Sequence, residues 1–174
     1  RNRDDVLRVG KVDVVVNLAG VIEGDYFGVH VKALNNLMEI CDSIVYVSTL
    51  WASSEGNDYQ ISKWLGERTI MNKAKSYVII RPSVIFGEGD ILLSTLSTII
   101  KKYPFIPWFD GELSPVFAGD VAELISDSVE RVIEGVKEVK PVCGPRDFSV
   151  RELMETIAKV LGVRKPFVKV PHSF

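Results

Sequence analysis

The run Tyr59-Gln60-Ile61-Ser62-Lys63 sets a phenol and an ammonium four residues apart. On a helix that spacing puts both on one face, about one turn from each other. Such a pair can act as an acid/base unit, because a nearby positive charge favours the phenolate and lowers the tyrosine pKa from its ordinary value of about 10. Proton transfer near pH 7 asks for a pKa about 3 below that, worth about 4 kcal/mol. Lys63, together with the positive charge of a cofactor, is expected to supply much of it. Just upstream, the apolar run Ile44-Val45-Tyr46-Val47 ends in the hydroxyl pair Ser48 and Thr49. Either hydroxyl could hold the substrate oxygen that gains or loses the proton. On spacing alone a surface helix with a half-buried Tyr and a solvated Lys is the better reading, so the weight falls on the surrounding elements.

Bulk properties narrow the field. The 174 residues suffice for one ordinary domain, and an apolar fraction of 47% can fill a sizeable core. The formal net charge is -2, so the basic footprint of a nucleic-acid binder is missing, and the scattered cations are expected on a solvated face. No apolar run reaches the length of a membrane span, no signal peptide is recognisable, and a cytoplasmic setting is expected. The first residue is Arg1 rather than Met, which hints at a fragment or a processed start. Cys41 and Cys143 form no C-x-x-C pair and are expected to be reduced core thiols. His30 and His172 have no Cys or carboxylate at ligand spacing, so no metal site is expected.

The elements that must position Tyr59 and Lys63 follow from periodicity. Residues 4–9 read as a helix tail. Val12 to Gly20 is a β-branched run ending in small residues, which suits a parallel strand buried on both faces. Small residues at its carboxyl end let a flat ligand approach the backbone. Residues 28–42 read as a helix with Val31, Leu34, Leu37, Met38 and Cys41 inside. Ile44–Val47 is the next strand. Trp51 could floor a pocket, but core packing is the stronger expectation for a lone Trp, and Asn57 or Asp58 caps the helix that carries Tyr59 and runs to about Met71. Tyr77–Ile80 is a third strand, stopped by Arg81-Pro82, and Leu92 to Ile100 give a helical stripe. Strand and helix alternate, which argues for a parallel sheet with helices on both faces. Tyr103 to Phe109 is aromatic and proline-rich, too irregular for a core element, and suits either a substrate-side lobe or a packed surface loop. A helix over Val121–Val136 starts near Asp120. A short strand and turn covers Pro141–Pro145. Ser149-x-x-Glu152 is a capping box opening a last helix closed by Gly162.

Several of these segments, in order, resemble the extended short-chain dehydrogenases/reductases, the NAD-dependent epimerase/dehydratase superfamily: DVVVNLAG, HVKALNNLMEIC, VYVST followed by YQISK, RPSVIFGEGD, PVFAGDVAELI and CGPRDFSVRELMETIAKVLG. The resemblance implies an α/β fold, a Rossmann-type doubly wound parallel sheet with a small C-terminal substrate lobe. Residues 1–102 would be the later part of the dinucleotide-binding domain, and 103–174 mainly the lobe, interleaved with the last sheet elements. It also implies roles. Tyr59 would be the general acid/base, and Lys63 would lower its pKa and bond the nicotinamide ribose. Thr49 aligns with the substrate-polarising hydroxyl, with Ser48 as runner-up. Asn17, Leu18, Ala19 and Gly20 would line the adenosine half, and Arg81, Pro82 and Ser83 would flank the nicotinamide. The cofactor would be NAD or NADP, with NAD preferred, the partners a small-molecule substrate and a second copy in a homodimer.

Three departures from the family pattern stand out. The glycine-rich phosphate loop, which follows the first strand, is absent, so the sheet is expected to lack its first βαβαβ portion and to expose an unpaired, hydrophobic edge. His30 takes the place of the helix-start Asn, which unsettles any water relay behind Lys63. Leu113, Ser114 and Phe117 stand where sugar-nucleotide members often carry Arg, Asp and His; an Arg there matches a diphosphate. The Lys63-x-x-Gly66-Glu67 and Pro115-Val-x-x-Gly-Asp-Val-Ala patterns look like the atypical branch that includes the dinucleotide-binding accessory subunit of respiratory complex I. Two functions are therefore expected: an NAD(P)-dependent oxidoreductase or epimerase acting on a hydroxyl or carbonyl carbon, including that of a nucleotide sugar, or a non-catalytic dinucleotide-binding structural or assembly factor.

Overall fold

The β-branched runs of the sequence pair into one parallel sheet. A computed structural model describes residues 2–171, and the readings that fall on Arg1 and His172 lie outside the described residues. In chain order the elements are α1 (Arg3–Val9), β1 (Val15–Asn17), a π turn (Gly28–Lys32) continuing into α2 (Ala33–Leu37), β2 (Ser43–Val47), α3 (Asp58–Lys73), β3 (Ser76–Pro82), β4 (Ile85–Phe86), α4 (Ile91–Lys102), β5 (Ile106–Trp108), β6 (Glu112–Leu113), β7 (Val116–Phe117), α5 (Ala118–Ile133), β8 (Lys137–Val142), β9 (Phe148–Ser149), α6 (Val150–Val160) and β10 (Phe167–Lys169). They divide into two compact units: the residues up to Pro82 with Asp120–Val142, and Ser83–Gly119 with the residues from Cys143 onward.

In the first unit the strand order is β1-β2-β3-β8, all parallel. The register sets Val16 opposite Val45, Val45 opposite Val78 and Ile79 opposite Val139. Side chains alternate between faces. Ile44, Tyr46 and Ile79 therefore pack on one side with Leu34, Ile70 and Ala74 from the α2–α3 layer. Val45, Val78 and Ile80 pack on the other side with Leu124, Val129 and Val132 of α5. Each fully buried aliphatic contributes roughly 1.5–3 kcal/mol. A parallel sheet covered by helices on both faces is the doubly wound arrangement.

Several details differ from the sequence reading. β1 spans three residues and pairs on one side only, so Val16 is 42% exposed and Leu18 61%. A strand buried on both faces over Val12–Gly20 does not form, because an edge strand leaves part of its surface open. Trp51 is exposed rather than in the core. Cys41 is buried, its thiol 2.9 Å from the Ser43 carbonyl, but Cys143, just past the end of β8, is exposed. The expected helix over 28–42 begins as a π turn, and its α-helical part ends at Leu37.

The second unit has its own core, where α4 and α6 pack around Ile100, Ile106, Val150, Met154 and Ala158. The aromatic, proline-rich stretch, expected to be too irregular for a core element, contains β5, paired in parallel with β10, and its Ile106 is fully buried. Pro107 is tolerated because a two-stranded sheet leaves one side of β5 unpaired. The capping box at Ser149 and Glu152 opens α6.

Gly66 marks a close contact between α3 and the π turn with α2. A Cβ there would lie 2.6 Å from the His30 carbonyl oxygen and 2.9 Å from Leu34 Cδ1. Backbone cannot yield as a flexible side chain does, so Gly66→Ala is expected to lower the unfolding free energy by about 1–3 kcal/mol. Urea denaturation followed by far-UV circular dichroism measures it.

Candidate functional site

Helix α3 is unusual in what it buries. Asn57 and Gln60 close a capping box at its start, and its inward face carries Ser62, Lys63, Gly66, Glu67 and Ile70. Burying two ionisable side chains on one helix costs free energy unless each is matched. The matches define the site.

Tyr59, in the first turn, is half-buried, and the Thr49 hydroxyl is the polar side chain that favours its phenolate. Burial pushes the phenol pKa up, the Thr49 hydrogen bond pulls it back in part, and the Tyr26 phenol adds to the rise. Lys63 is 4% exposed. Its ammonium donates to the Val47 carbonyl at 3.0 Å and lies 5.0 Å from the centroid of the Tyr46 ring. Burial lowers the Lys63 pKa to about 8, with Glu67 opposing. Here the structure departs from the expectation that Lys63 lowers the Tyr59 pKa. The ammonium is directed at the end of β2, and Thr49 is the group that favours the phenolate.

The hydroxyl pair is divided. Thr49 serves Tyr59, while Ser48 Oγ donates to Glu67 Oε1 at 2.5 Å. Tyr59 and Glu67 lie two turns apart on α3, so the neighbouring hydroxyls reach different turns of one helix. Glu67, 1% exposed, also accepts Arg81 Nε at 2.9 Å and Nη2 at 2.5 Å. The Arg81 guanidinium is thus held by a carboxylate. Pro82 ends β3, and its carbonyl accepts the Leu50 amide at 2.9 Å. Ser83 opens the second unit, with a buried hydroxyl that has no hydrogen-bond partner.

The loop after β1 holds the remaining candidates. Asn17 is buried, and its Oδ1 accepts the Ala19 amide at 3.0 Å. Leu18, Ala19 and Gly20 are exposed. A Cβ on Gly20 would lie 3.5 Å from Lys63 Nζ and 3.7 Å from His30 Nε2, so this bare backbone runs directly over the lysine. The structure therefore gathers Tyr59, Thr49, Lys63 and the Asn17–Gly20 loop in one unit, and turns Ser48 and Arg81 toward Glu67.

His30 is completely buried. Its Nε2 accepts the Val21 amide at 3.1 Å and its Nδ1 meets Ser62 Oγ at 2.8 Å. Burial, reinforced by the Lys63 charge, lowers its pKa to about 4. In the unfolded chain a histidine titrates near 6.5. The native state thus binds fewer protons between those values, and stability is complete above about 6.5 and falls as pH drops toward 4. The loss attributable to His30 is expected to reach about 3 kcal/mol. Urea denaturation at pH 7, 6, 5 and 4 tests it: His30→Gln should show a shallower slope than the parent.

Glu67 was missed by residue reading, although a signal existed. Tyr59, Lys63 and Glu67 follow at four-residue steps and so share one helix face. The roles of Tyr46 and Ser62 depend on contacts between distant segments and leave no local trace. Among the described residues no group of three or more His, Cys, Asp or Glu could hold a metal ion, and no helix is long and apolar enough to cross a membrane.

The parallel sheet covered by helices, with a tyrosine and a lysine on one helix beside a hydroxyl at a strand tip, is a Rossmann-type fold. A family model described as male sterility protein, NAD_binding_4, matches residues 53–102. The mitochondrial NADH dehydrogenase [ubiquinone] 1 alpha subcomplex subunit 9 of Arabidopsis thaliana is 28% identical over 131 residues, 73% of this chain and 33% of its own length. The N-acetyl-alpha-D-glucosaminyl-diphospho-ditrans,octacis-undecaprenol 4-epimerase of Escherichia coli O157:H7 is 27% identical over 125 residues, 67% of this chain and 38% of its own. The fold matches dTDP-4-dehydrorhamnose reductase from Bacillus anthracis, solved in complex with NADP, with a TM-score of 0.78 at 19% identity, covering 98% of this chain and 72% of that one. By these matches the chain is similar to the extended short-chain dehydrogenase/reductase superfamily. It spans about a third of the length of the curated relatives it matches.

Proposed function

We propose that Tyr59, Thr49 and Lys63 form the acid/base side of an NAD(P)-dependent oxidoreductase or epimerase that acts on a hydroxyl-bearing or carbonyl carbon. The observation that carries this reading is the buried Lys63 ammonium fixed on the Val47 carbonyl, one turn from Tyr59 on α3 and at the strand tip that bears Thr49, whose hydroxyl offsets part of the rise in the phenol pKa. The Asn17–Gly20 loop fits a dinucleotide, since Gly20 leaves its backbone free of any side chain directly over Lys63. Asn17, Ala19, Gly20 and Lys63 would hold the cofactor, which supplies or accepts the hydride when bound. Tyr59 gives or takes a proton at the substrate oxygen, and Thr49 holds that oxygen while favouring the phenolate. Lys63 keeps a positive charge beside the Val47 carbonyl below about pH 8. The second unit would form the substrate-side lobe. Sugar nucleotides are the first substrate class to try, because the Escherichia coli relative is an epimerase of a diphosphate-linked sugar.

The runner-up is a dinucleotide-holding assembly factor. It draws support from the complex I subunit relatives and from a Tyr59 phenol whose pKa is raised. The full-length protein decides between them. It should carry or bind NAD or NADP, read by mass spectrometry of the released ligand, and should change absorbance at 340 nm with a nucleotide-sugar panel. Binding without any absorbance change across carbonyl and carbinol substrates would favour the assembly factor, and failure to bind either dinucleotide would refute both.

A further inference from the structure

We propose that His30 is a positioning residue: as a neutral imidazole it ties the loop after β1 to the helix carrying Tyr59 and Lys63, and so fixes the spacing between the dinucleotide-side backbone and the acid/base pair. The inference rests on the dinucleotide reading above, and goes beyond it by assigning a task to a residue outside the acid/base trio.

The hydrogen bonds fix the tautomer. The Val21 amide donates to Nε2, which must therefore be bare. The proton of the neutral ring then sits on Nδ1 and is donated to Ser62 Oγ. Ser62 in turn donates its hydroxyl proton to the Tyr59 carbonyl at 2.8 Å. The result is one directional chain, from the Val21 amide through the imidazole and the Ser62 hydroxyl to the backbone of Tyr59. Every polar atom of the buried ring is satisfied, and the Tyr59 ring stands edge-on to it, with centroids 5.7 Å apart and planes at 78°.

The other end of the loop is held in the same way. Asn17 Oδ1 takes the Ala19 amide, so two buried side chains hold two amides of an otherwise exposed segment. Between them lies Gly20, whose backbone passes over both Lys63 Nζ and His30 Nε2. A loop pinned at Ala19 and Val21 keeps that passage open at a fixed height over the ammonium. Pre-ordering the segment removes part of the entropy cost of binding against it.

The location of His30 supports a functional reading. It lies in the π turn Gly28–Lys32 that precedes α2, and single π turns inside helices recur at functional sites. Here the turn carries the imidazole to α3 and to the loop at once. The titratable groups facing the ring are Lys63 and Tyr59 from α3 and Tyr26 from the helical residues that lead into the π turn. A proton on Nε2 would oppose the Val21 N–H with a second donor and release that end of the loop.

Two measurements on uniformly 15N-labelled full-length protein test the proposal. The first is the scalar coupling across the Val21 N–H···Nε2 bond. It should be seen in the parent at pH 7, and its absence, or an Nε2 that carries a proton there, overturns the assignment. The second is NAD and NADP affinity. His30→Phe keeps a ring but has no acceptor, and should bind about tenfold more weakly. His30→Gln places an amide oxygen near the Nε2 position, and should recover affinity to within about threefold. If Gln is as weak as Phe, or if Phe matches the parent, the ring is mere packing and the proposal is wrong. A parent that shows the coupling but binds no dinucleotide sinks the cofactor reading and the positioning role together, and the coupling identifies that case. Should His30→Phe fail to fold, the parent coupling and the Gln variant still decide.

Discussion

Tyr59→Phe is expected to lower turnover by about 10²–10⁴-fold, the usual contribution of a positioned general acid/base, and to leave dinucleotide affinity within a few fold. The substitution removes one oxygen. The aromatic ring keeps its edge contacts with His30 and Tyr26, at centroid distances of 5.7 and 6.0 Å, so α3 should hold its place. What disappears is the oxygen that meets the Thr49 hydroxyl. Absorbance at 340 nm measures turnover on the substrate found for the full-length protein, and calorimetry measures binding. Turnover that survives the change would remove Tyr59 from the chemistry. Two neighbours sharpen the result. Thr49→Val should also slow the reaction, because Thr49 is the hydroxyl that serves the phenol. Ser48→Ala should act mainly on stability, because its hydroxyl serves Glu67.

The difference between those two hydroxyls shows how far the sequence could be read. The alternation of strands and helices, the β2–α3–β3 order, a cap at Asn57 or Asp58 and the capping box at Ser149 were visible as local patterns; the structure chooses Asn57 and adds Gln60 to make a second box. Local patterns fail where a residue's environment is set by chain far away. The run from Val12 looks like a buried strand, but its burial depends on how many strands flank it, and β1 has one neighbour. Trp51 and Cys143 have core chemistry by type and exposed positions by topology. Ile106 lies in a proline-rich stretch that looks irregular, yet β10, some sixty residues on, pairs with it. At the site, the four-residue step from Tyr59 to Lys63 was legible. The direction in which Lys63 points was not, because the Val47 carbonyl and the Tyr46 face that receive it belong to another strand. The same holds for the rise in the Tyr59 pKa, which is a property of burial.

Glu67→Ala is expected to be the most damaging single change to stability, costing about 3–5 kcal/mol. The carboxylate is the common acceptor for Ser48 Oγ, Arg81 Nε and Arg81 Nη2. Removing it leaves a guanidinium and a hydroxyl with no partner at the end of β3 and the tip of β2, and an abandoned buried charge costs far more than the intact pair contributes. Arg81 keeps 28% of its side chain in water, which screens the loss and places it toward the lower end of that range. The fork also holds the Arg81 pKa above its usual value, chiefly through its hydrogen bonds to Glu67. Glu67→Gln, which keeps an acceptor oxygen but not the charge, should cost less than Ala. Replacing both partners, Glu67→Leu with Arg81→Met, should recover much of the loss, because an apolar pair carries no desolvation penalty. Urea midpoints with unchanged slopes would measure all three variants against the parent. A loss below about 1 kcal/mol for Glu67→Ala, or a double variant no better than Ala alone, would show that the clamp is not what joins α3 to the two strand ends. If the clamp holds, Thr49 inherits its place from it. The residue before Thr49 is anchored through Glu67 to the same helix that carries Tyr59, so the hydroxyl and the phenol meet because one buried carboxylate, two turns along α3, fixes the strand tip against that helix.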